Sequence, residues 1–393
     1  MLILCIIFYV ALFRNINFTN NNQFIICVFT TPLFIIYLIL NNKILNFLKS
    51  YIKFLWILIF FITIHFISKI INLDKKIFSG VYLNIPIKLA IDLISASVIV
   101  DLLIKKRKKI TSLFKIYIYC IFIDLTLGLL RVFFPTLNTI LLSLNKIDHI
   151  TQERIEGLSR LIPFGNRYFG TGLNSGIALI LIIYIINKKN KIYYWIVYFY
   201  IFILAFLSSR TVLVAGVISI VYYIYINRFR IYKIYKGIIV ALLSFIILLK
   251  SINKKIYNWA FELFIKRGET DSTNVLKNMW NIIPEDIKTW IIGDGKWMEG
   301  KKYYMNTDVG YLRLVWYVGI IGLFIYFYYL FFIYKNLVKD SSKEIKTLIG
   351  FIFIFLLVVN IKGYAEPFYL LFCLYILKMR LKLNESKLKN MQK

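Results

Sequence analysis

"LSSRTVLVAGVISIVYYIYI", residues 207–226, is apolar from Thr211 onward and carries a single arginine, Arg210, at its front. About 18–20 apolar residues in a row have the length of a helix that crosses a bilayer core of about 30 Å. Lysine is the default base of this chain, so a guanidinium at the mouth of a span raises two questions. One is what it binds, and the other is on which side of the membrane it lies.

The whole chain repeats the pattern. Its 393 residues are 60% hydrophobic and 18% aromatic, which is the composition of an integral membrane protein rather than a soluble domain. Mean hydropathy is +0.72. Apolar runs near 1–13, 24–40, 54–71, 81–104, 112–134, 170–187, 192–208, 211–227, 237–251, 308–334, 347–361 and 366–380 predict about twelve transmembrane helices. The expected fold is therefore an all-α polytopic membrane protein, one integral membrane domain over residues 1–393. Residues 1–13 are read as a short first span, because no small-residue cleavage site follows them.

The formal charge of +30 would suggest nucleic acid in a soluble protein. Here the bases cluster in short loops, where they set topology and meet anionic lipid, so nucleic acid is not an expected partner. "KKRKK" (105–109), "NKKNK" (187–191), "NRFRIYKIYK" (227–236), "YKNLVKDSSKEIK" (334–346) and the tail from Lys378 all fall on one side. That side is cytoplasmic, and an even number of spans puts both termini there. The opposite face receives "RNINFTNNNQ" (14–23), the loop at 135–169, the turn at 208–210, a long loop at 252–307 and "KGYAE" (362–366). Lys75 and Lys76 also fall outside and strain this assignment. Arg210 is thus expected on the outer face, at a tight turn between two spans.

The cysteines (Cys5, Cys27, Cys120, Cys373) sit inside apolar runs without paired spacing, which predicts neither a disulfide framework nor a zinc site. With only His65 and His149 in the chain, a histidine-rich metal centre is excluded. No metal and no cofactor are expected.

Arginine concentrates where the outer surface is expected: Arg154, Arg160, Arg167, Arg210, Arg267 and Arg313. Arg167 and Arg210 precede spans, and Arg313 is expected a turn and a half inside one. Arginine is always charged and presents five donors in a planar fork that suits bidentate phosphate binding better than lysine does. A bland alternative is that span-end arginines snorkel to headgroups, which does not account for Arg313. In "NTDVGYLRLVWYVGIIG" (306–322), Asp308 opens a span, either as a helix N-cap or as a carboxylate at the membrane surface. On a continuous helix Tyr311 and Leu312 lie over Asp308, and Asp308 and Arg313 are about 140° apart. Gly319 and Gly322 are read as a smooth patch for a neighbouring helix.

The order of "RYFGTGLNSG" (167–176), "SSRTVLVAG" (208–216) and "DVGYLRLVWYVGIIG" (308–322), with a long external loop before the third-last span, resembles the bacterial O-antigen polymerase and ligase superfamily. The resemblance covers the chain from roughly residue 150 to the end and implies an activity. Outer-face arginines hold the pyrophosphate of an undecaprenyl-pyrophosphate-linked sugar chain, a role that falls on Arg167 and Arg210, with Arg313 weaker. The histidine of the ligases' Gly-x-x-Gly motif falls on Asp308 here, which favours a Wzy-type polymerase over a ligase. The implied partners are the lipid-linked oligosaccharide and membrane lipid, with a chain-length regulator and a flippase as accessories.

Glycosyl transfer from a diphosphate needs the leaving pyrophosphate neutralised and an acceptor hydroxyl oriented. Asp308 is the candidate general base, with Glu366 in "KGYAEPF" behind it; a carboxylate beside Pro367 also suits a plain helix start. In the 252–307 loop, Trp259, Trp280, Trp290 and Trp297 suit either sugar binding or an amphipathic helix on the membrane. Trp297 and Tyr311 are the candidate sugar contacts. "IIGDGKW" (291–297) reads as a glycine turn too short for a phosphate loop. The opposing class is a transporter, for which deep charges (Asp92, Asp101, Asp124, Arg131) speak and the lack of an internal repeat does not. Asp124 and Arg131, two turns apart on one face, would pair through a shared partner. The sugars joined, and whether the product is O-antigen or capsule, are not encoded legibly.

Overall fold

The computed structural model describes residues 2–13, 21–73, 77–106, 110–144, 160–165, 168–189, 191–227, 237, 239, 254–266, 269–300, 302–366 and 369–391. Within these, the side chains of 2–3, 21–30, 141–144, 254, 255, 257, 260, 263, 271 and 381–391 are not described. Several expected features lie outside the described residues: Arg154, Arg167, Arg267, His149, Lys75, Lys76, the loop at 14–20 and, but for residues 237 and 239, the run at 237–251.

Among the described residues the expected apolar runs are helical. In order come α1 (Leu2–Phe13), α2 (Asn21–Leu40), α3 (Ile44–Ile52), α4 (Leu55–Ile71), α5 (Val81–Lys105) and α6 (Ile110–Phe133). Next are α7 (Pro135–Leu144), α8 (Phe169–Lys189), α9 (Ile192–Phe206), α10 (Thr211–Ile226), α11 (Lys254–Ile265), α12 (Asp271–Trp280) and α13 (Ile287–Ile292). A two-stranded antiparallel sheet, β1 (Met298–Glu299) and β2 (Lys302–Tyr303), precedes α14 (Gly310–Val338), α15 (Lys343–Val359) and α16 (Tyr369–Met391). The 252–307 segment, expected as a loop, therefore contains three helices and a hairpin.

This is an all-α protein, and among the described residues three helices, α6, α8 and α14, have the length and apolar composition to cross a membrane. Thr31–Leu40 and Ile44–Ile52 make a fourth if the 115° bend between them is one broken span. Leu4–Phe13, Leu55–Ile71, Ile192–Phe206 and Thr211–Ile226 are apolar but shorter.

Two compact units divide the chain. The first holds 1–29, 106–270 and 343–355. Its axis is α8, whose side chains from Ile177 to Ile186 are all buried, so it reads as apolar all round, as a helix enclosed by others must. Glycines let neighbours come close: a Cβ on Gly172 would strike Ser209 and Thr211, and one on Gly176 would strike Phe355 and Ala215. Polar groups on α6 find partners on neighbouring segments. Asp124 accepts from Tyr9 Oη at 2.9 Å and from the Gly165 backbone N–H at 2.5 Å. Arg131 donates to Asn138 Oδ1 at 3.1 Å and to the Ile162 carbonyl at 3.4 Å. These contacts tie segment 160–165 onto α6, and Leu161 N–H bonds the Leu207 carbonyl at 3.1 Å.

The second unit holds 30–105, 271–342 and 356–393. Its centre is a break in α14 at Gly319, where φ is 67° and ψ −171°. The sequence suggested a smooth glycine patch on a continuous helix, but Gly319 is where the helix stops and restarts. A break exposes carbonyls, and a glycine turn meets them. Asp294 N–H bonds Trp316 O at 2.7 Å, while Gly295 N–H and Ser68 Oγ bond Tyr317 O at 3.0 and 2.9 Å. Gly293 and Gly295, at φ 70° and 72°, give "GDG" its shape. Asp294 also accepts from Thr289 Oγ1 and Tyr304 Oη, which fixes the turn.

Candidate functional site

Arg210 closes the turn between α9 and α10. Ser208 and Ser209 N–H groups both bond the Ala205 carbonyl, at 3.1 and 2.7 Å, and Leu213 N–H bonds Arg210 O at 3.0 Å. The reversal therefore takes only residues 207–210, and small Ser209 fits against Gly172. The side chain does not run free along the helix, as simple snorkelling would have it. Nη2 donates to Glu262 Oε2 and to the Trp259 carbonyl, both at 2.5 Å, and Nη1 to Thr270 Oγ1 at 3.3 Å. The guanidinium lies over the Trp259 ring at 4.9 Å, and Arg160 lies over the same ring at 4.1 Å. Glu262 also pairs with Lys266 Nζ at 3.0 Å, one turn on. The Arg210 hydrogen bond first, then that of Lys266, holds the Glu262 carboxyl below the usual carboxylate range.

Helix α11 brings this about because Trp259 and Glu262 are three residues apart and share a face. At the end of α11 Phe264 and Ile265 are exposed, as in a helix lying at a membrane surface.

In the second unit Arg313 and Trp297 meet. The Arg313 guanidinium carbon is 3.9 Å from the Trp297 ring centroid and 3.4 Å from that of Tyr303. The residue is 8% exposed, and among the described residues no carboxylate lies within 4.0 Å of it. Aromatic faces are its compensation. Trp297 spends its ring there and on edge contacts with Tyr317 and Tyr364 at 5.5 and 5.2 Å.

Arg313 lies before the break in α14. At 1.5 Å per residue the 29 residues of α14 run about 43 Å, well beyond a bilayer core, whereas Ile320–Val338 alone runs about 28 Å. Arg313 belongs to the segment before the break, not to the stretch of span length.

Asp308 is exposed and lies outside the helix: the N-cap is Val309, whose N–H bonds Thr307 Oγ1 at 3.3 Å. Its own N–H meets Met279 Sδ at 3.3 Å, so the helix-cap reading of Asp308 does not hold. No ion pair joins it to Arg313 or to any other described cation. Tyr311 does not stand over Asp308; its hydroxyl donates to the Leu357 carbonyl at 2.6 Å. Glu366 pairs with Lys88 Nζ at 2.6 Å, beside Asp92 and Tyr329 in a cavity of about 10 Å³, the order of a single water.

Arg210 thus belongs to the first unit, and Asp308, Tyr311, Arg313, Trp297 and Glu366 to the second. Glu262 and Lys88 are polar partners that the sequence did not single out, and Arg160 was given no role beyond its place among the outer-face arginines. Arg160 carried a signal, being an arginine where lysine is the rule.

Fold and site together define an all-α protein of the membrane class with two arginine–tryptophan clusters. No family model matches the chain, and no curated protein or solved structure matches it either.

Proposed function

We propose that the protein is a glycosyltransferase of the outer face of the bacterial cytoplasmic membrane, a Wzy-type polymerase of undecaprenyl-pyrophosphate-linked repeat units. The product is O-antigen or capsular polysaccharide. About twelve spans with both termini cytoplasmic complete this reading, and a flippase and a chain-length regulator are its accessory partners. The observation that carries it is Arg210, a guanidinium at a tight turn between apolar helices, oriented by tryptophan and by charge-assisted hydrogen bonds.

The acceptor sugar's hydroxyl oxygen attacks C1 of the growing chain. The bond from C1 to the pyrophosphate oxygen breaks, and undecaprenyl pyrophosphate leaves with the electron pair. Arg210 and Arg167 offset the charge on the leaving group. This cationic stabilisation is what a metal ion supplies elsewhere, so the transfer is proposed as metal-independent. Asp308 takes the hydroxyl proton, since its carboxylate is exposed and pairs with no described cation. Glu366 is the second choice because Lys88 already holds it.

A ligase, which transfers a finished chain to another acceptor, uses the same groups. The half-buried Lys88–Glu366 pair favours a third reading, a lipid-linked oligosaccharide flippase, because charges paired within apolar helices are common in transporters. In cells the readings separate on Arg210→Ala. A polymerase loses long glycan while single-repeat glycan and protein abundance persist; a flippase loses both glycans, and unaltered polymer refutes the role of Arg210.

A further inference from the structure

Among the described residues no carboxylate pairs with Arg313, and its Nε is enclosed without a hydrogen-bond partner. Trp297 and Tyr303, at 3.9 and 3.4 Å, answer the charge through their rings. A buried guanidinium with an unfilled fork is costly, and that fork matches a carboxylate in one plane. A second orphan lies beside it. The Tyr364 hydroxyl is likewise enclosed without a partner among the described residues, and the Tyr364 ring meets Trp297 at 5.2 Å. A cationic donor and a hydroxyl donor thus flank one indole. Tyr303 is 38% exposed and stands on a two-residue strand, paired through Met298↔Tyr303 and Glu299↔Lys302. So short a hairpin is marginal by itself, and this outer wall is the way in to the guanidinium.

We infer that Arg313, caged by Trp297 and Tyr303 with the Tyr364 hydroxyl beside it, binds the carboxylate of an acidic sugar, a uronate, in the repeat unit. This rests on the reading of the protein as a repeat-unit polymerase and names a class of substrate for it. A carboxylate carries one charge, which one guanidinium matches. A phosphate monoester carries about two, and the Asp308 charge, which acts on Arg313 without pairing with it, opposes the second. The rest of a pyranose offers hydroxyls, for which Tyr364 is a partner, and an apolar ring face, for which the exposed Tyr303 ring is a surface. Asp308 is the proposed base for the acceptor hydroxyl, so a uronate seated at Arg313 stands on the acceptor side of the transfer.

The full chain in nanodiscs of neutral lipid, titrated by ligand-observed NMR with methyl glucuronide, methyl glucoside and inorganic phosphate, tests the site. The glucuronide should bind about tenfold more tightly than the glucoside, the value of one charge-assisted bond. Arg313→Gln, which loses the charge, should erase that preference. Arg313→Lys, charged but without the fork, should keep part of it, and serves if Arg313→Gln does not fold. Tyr364→Phe should weaken glucuronide binding severalfold, as the loss of a neutral hydrogen bond does. Equal binding of the two sugars to wild type, a preference that survives in Arg313→Gln, or phosphate bound more tightly than the glucuronide overturns the inference. Glycan polymer made by a protein that does not prefer the glucuronide refutes the uronate site and leaves the polymerase standing. The preference without any glycan product does the reverse.

Discussion

Arg210 and Glu262 join the turn between two apolar helices to helix α11 through one ion pair, Nη2 to Oε2 at 2.5 Å. The pair belongs to a stretch that the apolar pattern left as loop, and it holds α11 together with the Arg210 bond to the Trp259 carbonyl.

The pair makes stability depend on acid. The Glu262 carboxyl lies below its ordinary value of 4.5 in the folded protein. A depressed folded pKa contributes stability that is complete above the unfolded value and is lost as pH falls through the folded one. Between about pH 5 and pH 3 the melting temperature of the wild type should fall more steeply than that of Glu262→Gln. Parallel curves would show that the pair adds nothing to the fold.

Gly319 should tolerate no side chain. Its φ of 67° is costly for an L-residue, and a Cβ there would collide with the Ile291 carbonyl. Backbone strain alone costs about 1–3 kcal/mol, so Gly319→Ala should lower the melting temperature by several degrees, and Gly322→Ala, helical and facing the Val318 side chain, by less. Equal melting of Gly319→Ala and wild type would mean α14 runs unbroken.

How much was legible follows from which forces are local. Spans 112–134 and 170–187 were read nearly to their ends (α6, α8) because a run of apolar side chains is a property of the run itself. The break at Gly319 was not legible, since its left-handed φ is dictated by the 293–295 turn docking from a distant segment. Arg210 could be flagged as an arginine among lysines, but Glu262 could not, because its pairing depends on where α11 packs. Asp308 looked like a cap because Asp favours that position, yet the N-cap is Val309, one residue on, and no side chain caps the helix.

Asp308 separates catalysis from structure. It caps no helix, so Asp308→Asn should leave the melting temperature unchanged while transfer falls on the order of 10²–10⁴-fold. Wild-type activity in this variant would move the base to Glu366 or to no residue.

Topology has its own test. In a cysteine-free background, Asn20→Cys and Thr273→Cys should label with an impermeant maleimide from outside, and Lys106→Cys and Lys189→Cys should not. The inverse pattern would place Arg210 on the cytoplasmic side and remove it from any outer-face reaction.

The central claim, glycosyl transfer at the arginine site, is tested most directly by purified protein given undecaprenyl-pyrophosphate-linked repeat units, with a chelator and without ATP. Wild type should yield a ladder of lengthened glycans. Arg210→Ala should fall at least about a hundredfold, as when one donor to a developing anion is removed. Arg210→Lys should recover only part, because charge remains but the bidentate fork is lost. No ladder from wild type, or an equal ladder from Arg210→Ala, would contradict the account.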